Sequence, residues 1–126
     1  IFDKFKYLIR TFLQYDRVTI STRKKSENRR KYDKGVFSTI KLVDGDKDEF
    51  VEGSDFPTNG SIQGLPVITG THFQTNDWRA SHPNMFRFKS SELSDYKYKS
   101  MMGVPIIIEG ESRGAIIIEK VDTIPF

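Results

Sequence analysis

Three groups of residues in this 126-residue chain have spacings that could do chemistry. Gly110-Glu111-Ser112-Arg113-Gly114 has the G-x-S-x-G spacing of a nucleophile elbow, which works by holding a serine strained and exposed where a strand turns sharply into a helix. Here the serine is followed by the strand-like run Ala115 to Ile118. A hairpin turn explains the same five residues, and no catalytic residue is assigned. Asp44, Asp46 and Asp48 occupy the first, third and fifth positions of a calcium-loop pattern. The sixth position, however, is Glu49 where the turn requires glycine, and the twelfth is Asp55 where a glutamate closes the site. No metal site is assigned. His72 and His82 are the only histidines, and two histidines without cysteine or ligand-spaced acids do not make a ligand set. They give no ground for assigning a haem. The absence of cysteine removes disulfides, thiolate metal sites, thiol catalysis and thioether attachment of a chromophore together.

Charge is unevenly distributed. Residues 23 to 34 hold seven basic side chains against Glu27 and Asp33, a local charge of +5. One reading is a polyanion contact, to nucleic acid or a nucleotide, through Arg29, Arg30 and Lys31. The other is a solvated hairpin loop, favoured because Tyr32 is the lone aromatic and single-strand binders interleave several. Residues 44 to 55 carry six acids and one lysine. The net charge of +3 is too mild to imply a polyanionic partner by itself.

The elements that would position these groups follow from periodicity. Ile1, Phe2, Phe5, Leu8, Ile9, Phe12 and Leu13 share a helical face. No cap precedes Ile1, so the chain is expected to be one domain, 1–126, excised from a larger protein. Asp16 to Arg23 alternates as a half-buried strand, and Val36 to Val43 is a second. Asp44-Gly45 predicts a turn into a short strand at Glu49 to Glu52. Consecutive antiparallel strands reverse direction, which puts the basic and acidic loops at opposite ends of the sheet. Ser61 to Thr69 is expected to be a short helix capped by Ser61 and ended by Gly70, with His72 to Thr75 a strand closing at Asp77. Residues 78 to 99 are irregular and aromatic, with a short helix carrying Leu93 and Tyr96, and are expected to fold over the sheet. Val104 to Ile108 and Ala115 to Ile118 form a hairpin with three consecutive isoleucines in each strand, predicted to be buried on both faces in mid-sheet.

In this order, SIQGLPVITG from Ser61 to Gly70, the strand ending in Asp77, and Ser100-Met-Met-Gly-Val-Pro-Ile leading through the hairpin to Gly114-Ala-Ile-Ile-Ile-Glu119 resemble the GAF domain family over essentially the whole chain. The resemblance implies an α+β, GAF/PAS-like fold: a central antiparallel sheet with helices on one face and a pocket covered by loop and helix on the other. It implies a non-catalytic sensory or regulatory domain of a larger, bacterial signalling protein, such as a histidine kinase or diguanylate cyclase. Transmission would run through terminal helices and homodimerisation to an output domain in the same parent chain. Family members that hold a bilin need a GAF cysteine, and those that reduce free methionine sulfoxide also work through cysteines. Both are excluded, no cofactor is expected, and nothing like the NKFDE motif of cyclic-nucleotide binders is present.

On this reading the candidate ligand-binding residues are Phe73, Trp78, Arg79, Phe86, Phe88, Tyr96 and Met102. The aromatics would give flat apolar walls, and Arg79 could pair with a carboxylate or phosphate of a small-molecule ligand. The rivals are polyanion binding through the basic loop and a small serine hydrolase at Ser112. No run approaches the length of a membrane span and no signal peptide is visible, so a cytoplasmic location is expected.

Overall fold

The computed structural model describes residues 4, 7, 8, 14–24, 37–89, 97–124 and 126. Most of the expected N-terminal helix therefore lies outside the described residues, although Lys4, Tyr7 and Leu8 are helical. The greater part of the basic loop, and Leu93 and Tyr96 with their expected helix, also lie outside them.

Six strands form one sheet: β1 (Arg17–Arg23), β2 (Phe37–Gly45), β3 (Asp55–Pro57), β4 (Phe73–Thr75), β5 (Ser100–Ile108) and β6 (Glu111–Lys120). Their order is β3-β2-β1-β6-β5-β4, antiparallel at every pairing. Arg17 pairs with Gly45 and Arg23 with Ser38, so the two charged loops leave β1–β2 at opposite ends. β1 departs from the half-buried expectation. It lies between β2 and β6, and Arg17, Thr19 and Ser21, the alternate residues expected to face water, are buried as fully as Val18. Alternation in the sequence distinguished two faces of the strand, but both turn out to be covered.

The short strand expected at 49–52 is absent. Phe50 is instead drawn into the core, Gly53 turns the chain at a φ of +91°, and pairing resumes with Thr39 opposite Asp55. The closing hairpin also differs in part. β6 is central, with Ile117 and Ile118 buried, whereas β5 is covered on its far side only where β4 pairs with Met101 to Gly103. Beyond that point Ile107 and Ile108 are more than half exposed, because β4 is too short to shield them. The tight turn is Glu109-Gly110, with φ of 53° and 79°, the two left-handed residues of a type I′ hairpin. Ser112 consequently lies within β6 and not in the turn.

One sheet face carries Val18, Ile20, Leu42 and Ile118, with Tyr15, Met102, Ile106, Ile116 and Phe126 against them. The other carries Met101, Ala115 and Ile117 under Ile62, Val67, Trp78 and Tyr98, next to a second cluster of Ile40, Val43, Phe50, Phe56 and Phe88. This second face is where Trp78, Phe88 and Tyr98 pack. A 3-10 turn (Ile62–Gly64), capped by the Ser61 hydroxyl accepting from the Gly64 N–H at 3.2 Å, leads into α1 (Leu65–Thr69). Gly64 is required there, since a Cβ would stand 2.1 Å from the Thr58 carbonyl oxygen. α2 (Trp78–Ser81) starts at Asp77, whose carboxylate accepts from the Ala80 N–H at 3.4 Å and so seats Trp78 over the sheet.

Candidate functional site

The inner sheet face holds a buried charged network. Arg17 begins β1 and Glu119 sits opposite it on β6, so alternation points both side chains to the same face. Arg87 reaches in from the segment after α2, Asp48 from the β2–β3 loop, and Gln63 from the 3-10 turn. Arg87 donates to Glu119 through two nitrogens, Nε to Oε2 at 2.7 Å and Nη2 to Oε1 at 3.0 Å. The Asp48 carboxylate bridges both cations, with Oδ1 2.8 Å from Arg17 Nη1 and Oδ2 2.8 Å from Arg87 Nη1. Arg17 also donates to the Phe50 carbonyl at 2.7 Å and to Thr19 Oγ1 at 3.0 Å, and its Nε lies 3.9 Å from Glu119. Gln63 Nε2 donates to Glu119 Oε1 at 3.0 Å, while Gln63 Oε1 has no hydrogen-bond partner. The rings of Tyr98 and Phe88 flank the Arg87 guanidinium at 4.6 and 4.8 Å.

Two cations and two anions make the group neutral, which is what permits guanidinium and carboxylate groups at zero exposure. Asp48 is the member that touches solvent, with 12% of its side chain exposed. Burial works to raise its pKa. The charge and hydrogen bond of Arg87, the Phe50 N–H and the charge of Arg17 outweigh that and hold it below its ordinary 3.8. Burial likewise opposes the charge on Arg87, and Glu119 and Asp48 more than restore it. A carboxylate with a depressed folded-state pKa stabilises fully above its unfolded value, and the contribution is lost as pH falls through the folded value. Stability should therefore drop as pH falls below 3.8, and Asp48→Asn should flatten part of that drop when urea midpoints are compared at pH 7 and pH 3.

The candidate residues read from the sequence do not converge on one cavity. Trp78 is wholly buried, donating its indole N–H to the Tyr98 carbonyl at 2.9 Å, and Phe73 packs against the same cluster. Arg79 is half-buried, its guanidinium 5.4 Å from the Trp78 ring. Phe88 belongs to the neighbouring cluster, stacked on Phe50 at 4.3 Å, and Phe86 is 43% exposed. Tyr96 lies outside the described residues. Met102 must be corrected: it pairs with Ile118 and faces the opposite side of the sheet, and Met101 is the one under Trp78. One position along a strand reverses the face.

The three aspartates of the calcium-like loop point to different partners. Asp44 accepts from the Tyr15 hydroxyl, Asp46 meets Lys97 and the Tyr98 hydroxyl at 3.2 Å each, and Asp48 bridges the arginines. Among the described residues no group of three or more His, Cys, Asp or Glu is placed to hold a metal. Ser112 is followed by strand through Lys120, so the geometry of an elbow is missing. Beside the loop that carries Asp48, Val43, Lys47, Val51 and Glu52 line an open cleft of about 270 Å³. No helix among the described residues is long and apolar enough to cross a membrane.

The family model for the GAF domain matches residues 1–126. No curated protein matches the chain. Among solved structures, it is similar to the GAF domain of a two-component sensor histidine kinase from Bacillus halodurans, at 13% identity and TM-score 0.70, covering 99% of this chain and 77% of that one. It is also similar to the GAF domain of a phosphoenolpyruvate-protein phosphotransferase from Coxiella burnetii, at 19% identity and TM-score 0.68, covering 94% and 64%. A type II free methionine-R-sulfoxide reductase from Thermoplasma acidophilum shares the fold at 18% identity and TM-score 0.68, covering 96% and 72%.

Proposed function

The chain belongs to the GAF domain family, and from that membership we propose that it is a non-catalytic regulatory domain of a signalling protein whose inner sheet face is filled by its own side chains. The neutral network of Arg17, Asp48, Arg87 and Glu119, packed against Tyr98 and Phe88, carries this reading. With both cations and both anions of the network paired, this face needs no resident small molecule to be stable. The sulfoxide reductase shows that the fold can host an enzyme. In this chain, however, no cysteine is present to supply thiol chemistry, and Ser112 lies in a strand.

Transmission runs through the terminal segments and dimerisation. Supporting this, Tyr7 and Leu8 in the N-terminal helical segment, and Val121 and Ile124 after β6, are apolar and exposed, the kind of surface a second copy covers. Native mass spectrometry of the purified chain tests both parts. The expected result is a dimer with the mass of two bare polypeptides. A stoichiometric co-purifying small molecule would overturn the self-filled face, and a monomer at all concentrations would overturn dimerisation.

A further inference from the structure

β3 pairs with β2 only from Phe37 to Thr39, so the rest of β2 has no neighbouring strand on that side. At Ile40 the loop after β2 satisfies this edge with its own backbone. Gly53 donates to the Ile40 carbonyl and Ile40 donates to the Ser54 carbonyl, each at 2.8 Å. At Val43 two side chains take that place. The Val43 N–H donates to Glu52 Oε1 at 3.2 Å, and the Val43 carbonyl accepts from Lys47 Nζ at 3.1 Å. Both side chains belong to exposed residues, and with Val43 and Val51 they line the open cleft of about 270 Å³. That cleft separates Val43 from the segment Glu49 to Glu52, which the sequence predicted as a neighbouring strand and which Phe50 instead ties to the core.

We infer that the edge at Val43 is a docking site for an extended peptide segment, which adds to the sheet by taking over the two bonds now made by Glu52 and Lys47. The class of occupant follows from the groups to be satisfied. A main-chain donor and a main-chain acceptor of the same residue stand side by side, and an antiparallel strand answers both with one residue of its own. An anion would satisfy only the N–H, and a cation only the carbonyl. The flanking charges set the order of side chains. Glu52 stands on the N–H side of Val43 and Lys47 on the carbonyl side, so the residue before the paired one lies beside Lys47 and the residue after it beside Glu52. The segment that fits therefore reads acid, apolar, base. Entry turns aside two exposed side chains, charged guards of the kind that sheet edges commonly carry. The loop itself stays in place, with Phe50 in the core and Gly53 and Ser54 still bonded to Ile40. The inference is independent of the regulatory reading above, since neither dimerisation nor a self-filled inner face decides what Val43 binds.

The probe is the peptide acetyl-Thr-Glu-Val-Lys-Thr-amide, titrated into the isotope-labelled full chain and followed by backbone amide NMR. The Val43 amide should shift saturably and exchange with solvent more slowly, while the amides of β6 stay in place. Methylating the valine nitrogen of the probe removes the donor to the Val43 carbonyl and should abolish the shift. Interchanging the Glu and Lys of the probe should weaken binding several-fold. In Lys47→Ala/Glu52→Ala the guards are gone, and the uncharged acetyl-Thr-Thr-Val-Thr-Thr-amide should bind more tightly than it does to the unaltered chain. No saturable shift at Val43 in the unaltered chain, or an equal shift with the methylated probe, would overturn the docking site, and neither result depends on the variant folding. Equal binding of the two charge orders would overturn the antiparallel direction. Equal or weaker binding of the uncharged peptide by the double variant would overturn the displacement of Lys47 and Glu52.

Discussion

Arg87→Met should destabilise the domain by about 3–5 kcal/mol, the usual cost of removing one partner from a buried ion pair. The loss falls on Glu119, which has no exposure and would surrender bonds of 2.7 and 3.0 Å, keeping only Gln63 at 3.0 Å and the more distant Arg17. The cluster would go from two cations against two anions to one against two. That excess charge, and not the missing side-chain volume, is the source of the penalty. Methionine replaces much of the apolar stem between Tyr98 and Phe88 but supplies no charge. A second substitution separates the causes: Glu119→Gln restores neutrality, so the double variant Arg87→Met/Glu119→Gln should be more stable than Arg87→Met alone. Urea denaturation of the four members of this cycle measures it. A double variant less stable than Arg87→Met would show that packing, and not uncompensated charge, sets the cost.

Trp78→Ala should cost about 3–5 kcal/mol as well, through the cavity left by a large aromatic side chain. Trp78 has no exposure and lies at the centre of the cluster formed by Ile62, Val67, Tyr98, Met101, Ala115 and Ile117. Its environment is made by three separate parts of the chain, the Asp77 cap below it, α1 beside it and the β5–β6 pair beneath, so relaxation around the vacancy is limited. Losing the indole N–H also strands the Tyr98 carbonyl, bonded at 2.9 Å. Trp78→Phe isolates this second part: it retains most of the apolar volume and should cost about 1–3 kcal/mol for the unsatisfied acceptor. Since Trp78 is the sole tryptophan, unfolding of these variants is followed by circular dichroism and not by indole fluorescence. Against a typical total stability of about 5–15 kcal/mol, the alanine variant should be measurably unfolded well below the parent's midpoint. An unchanged midpoint would mean that Trp78 does not close the core.

Much of the architecture was legible because it depends on local patterns. Ser61 and Gly70 announced a short helical unit, and the strand expected over His72 to Thr75 is present at Phe73–Thr75, with Asp77 capping the turn that follows. The runs Val104 to Ile108 and Ala115 to Ile118 declared a hairpin, and Glu109-Gly110 forms its turn. Harder to read was the role of polar residues in strands. Arg17, Thr19 and Ser21 alternate with Val18 and Ile20 as they would on a solvated strand, yet the sheet covers both faces. Glu119 follows an apolar run in the sequence and is the wholly buried anion of the network. Nothing near Arg87 distinguishes it in sequence from Arg79, the arginine expected in the site.

The sequence by itself determined the strand and hairpin pattern and the absence of thiol chemistry, because composition, turn residues and hydrophobic period act within a few positions of one another, while the ordered motifs from Ser61 to Glu119 carried the resemblance to the family. Only the tertiary structure decided which face each strand residue serves and which charges meet. Arg17 and Asp48 are separated by 31 positions, and Arg87 and Glu119 by 32, so their pairing depends on strand register and loop path. Register also set Met101 under Trp78 and Met102 on the far side, a distinction of one residue that the alternating pattern allows in either sense until a neighbouring strand fixes it.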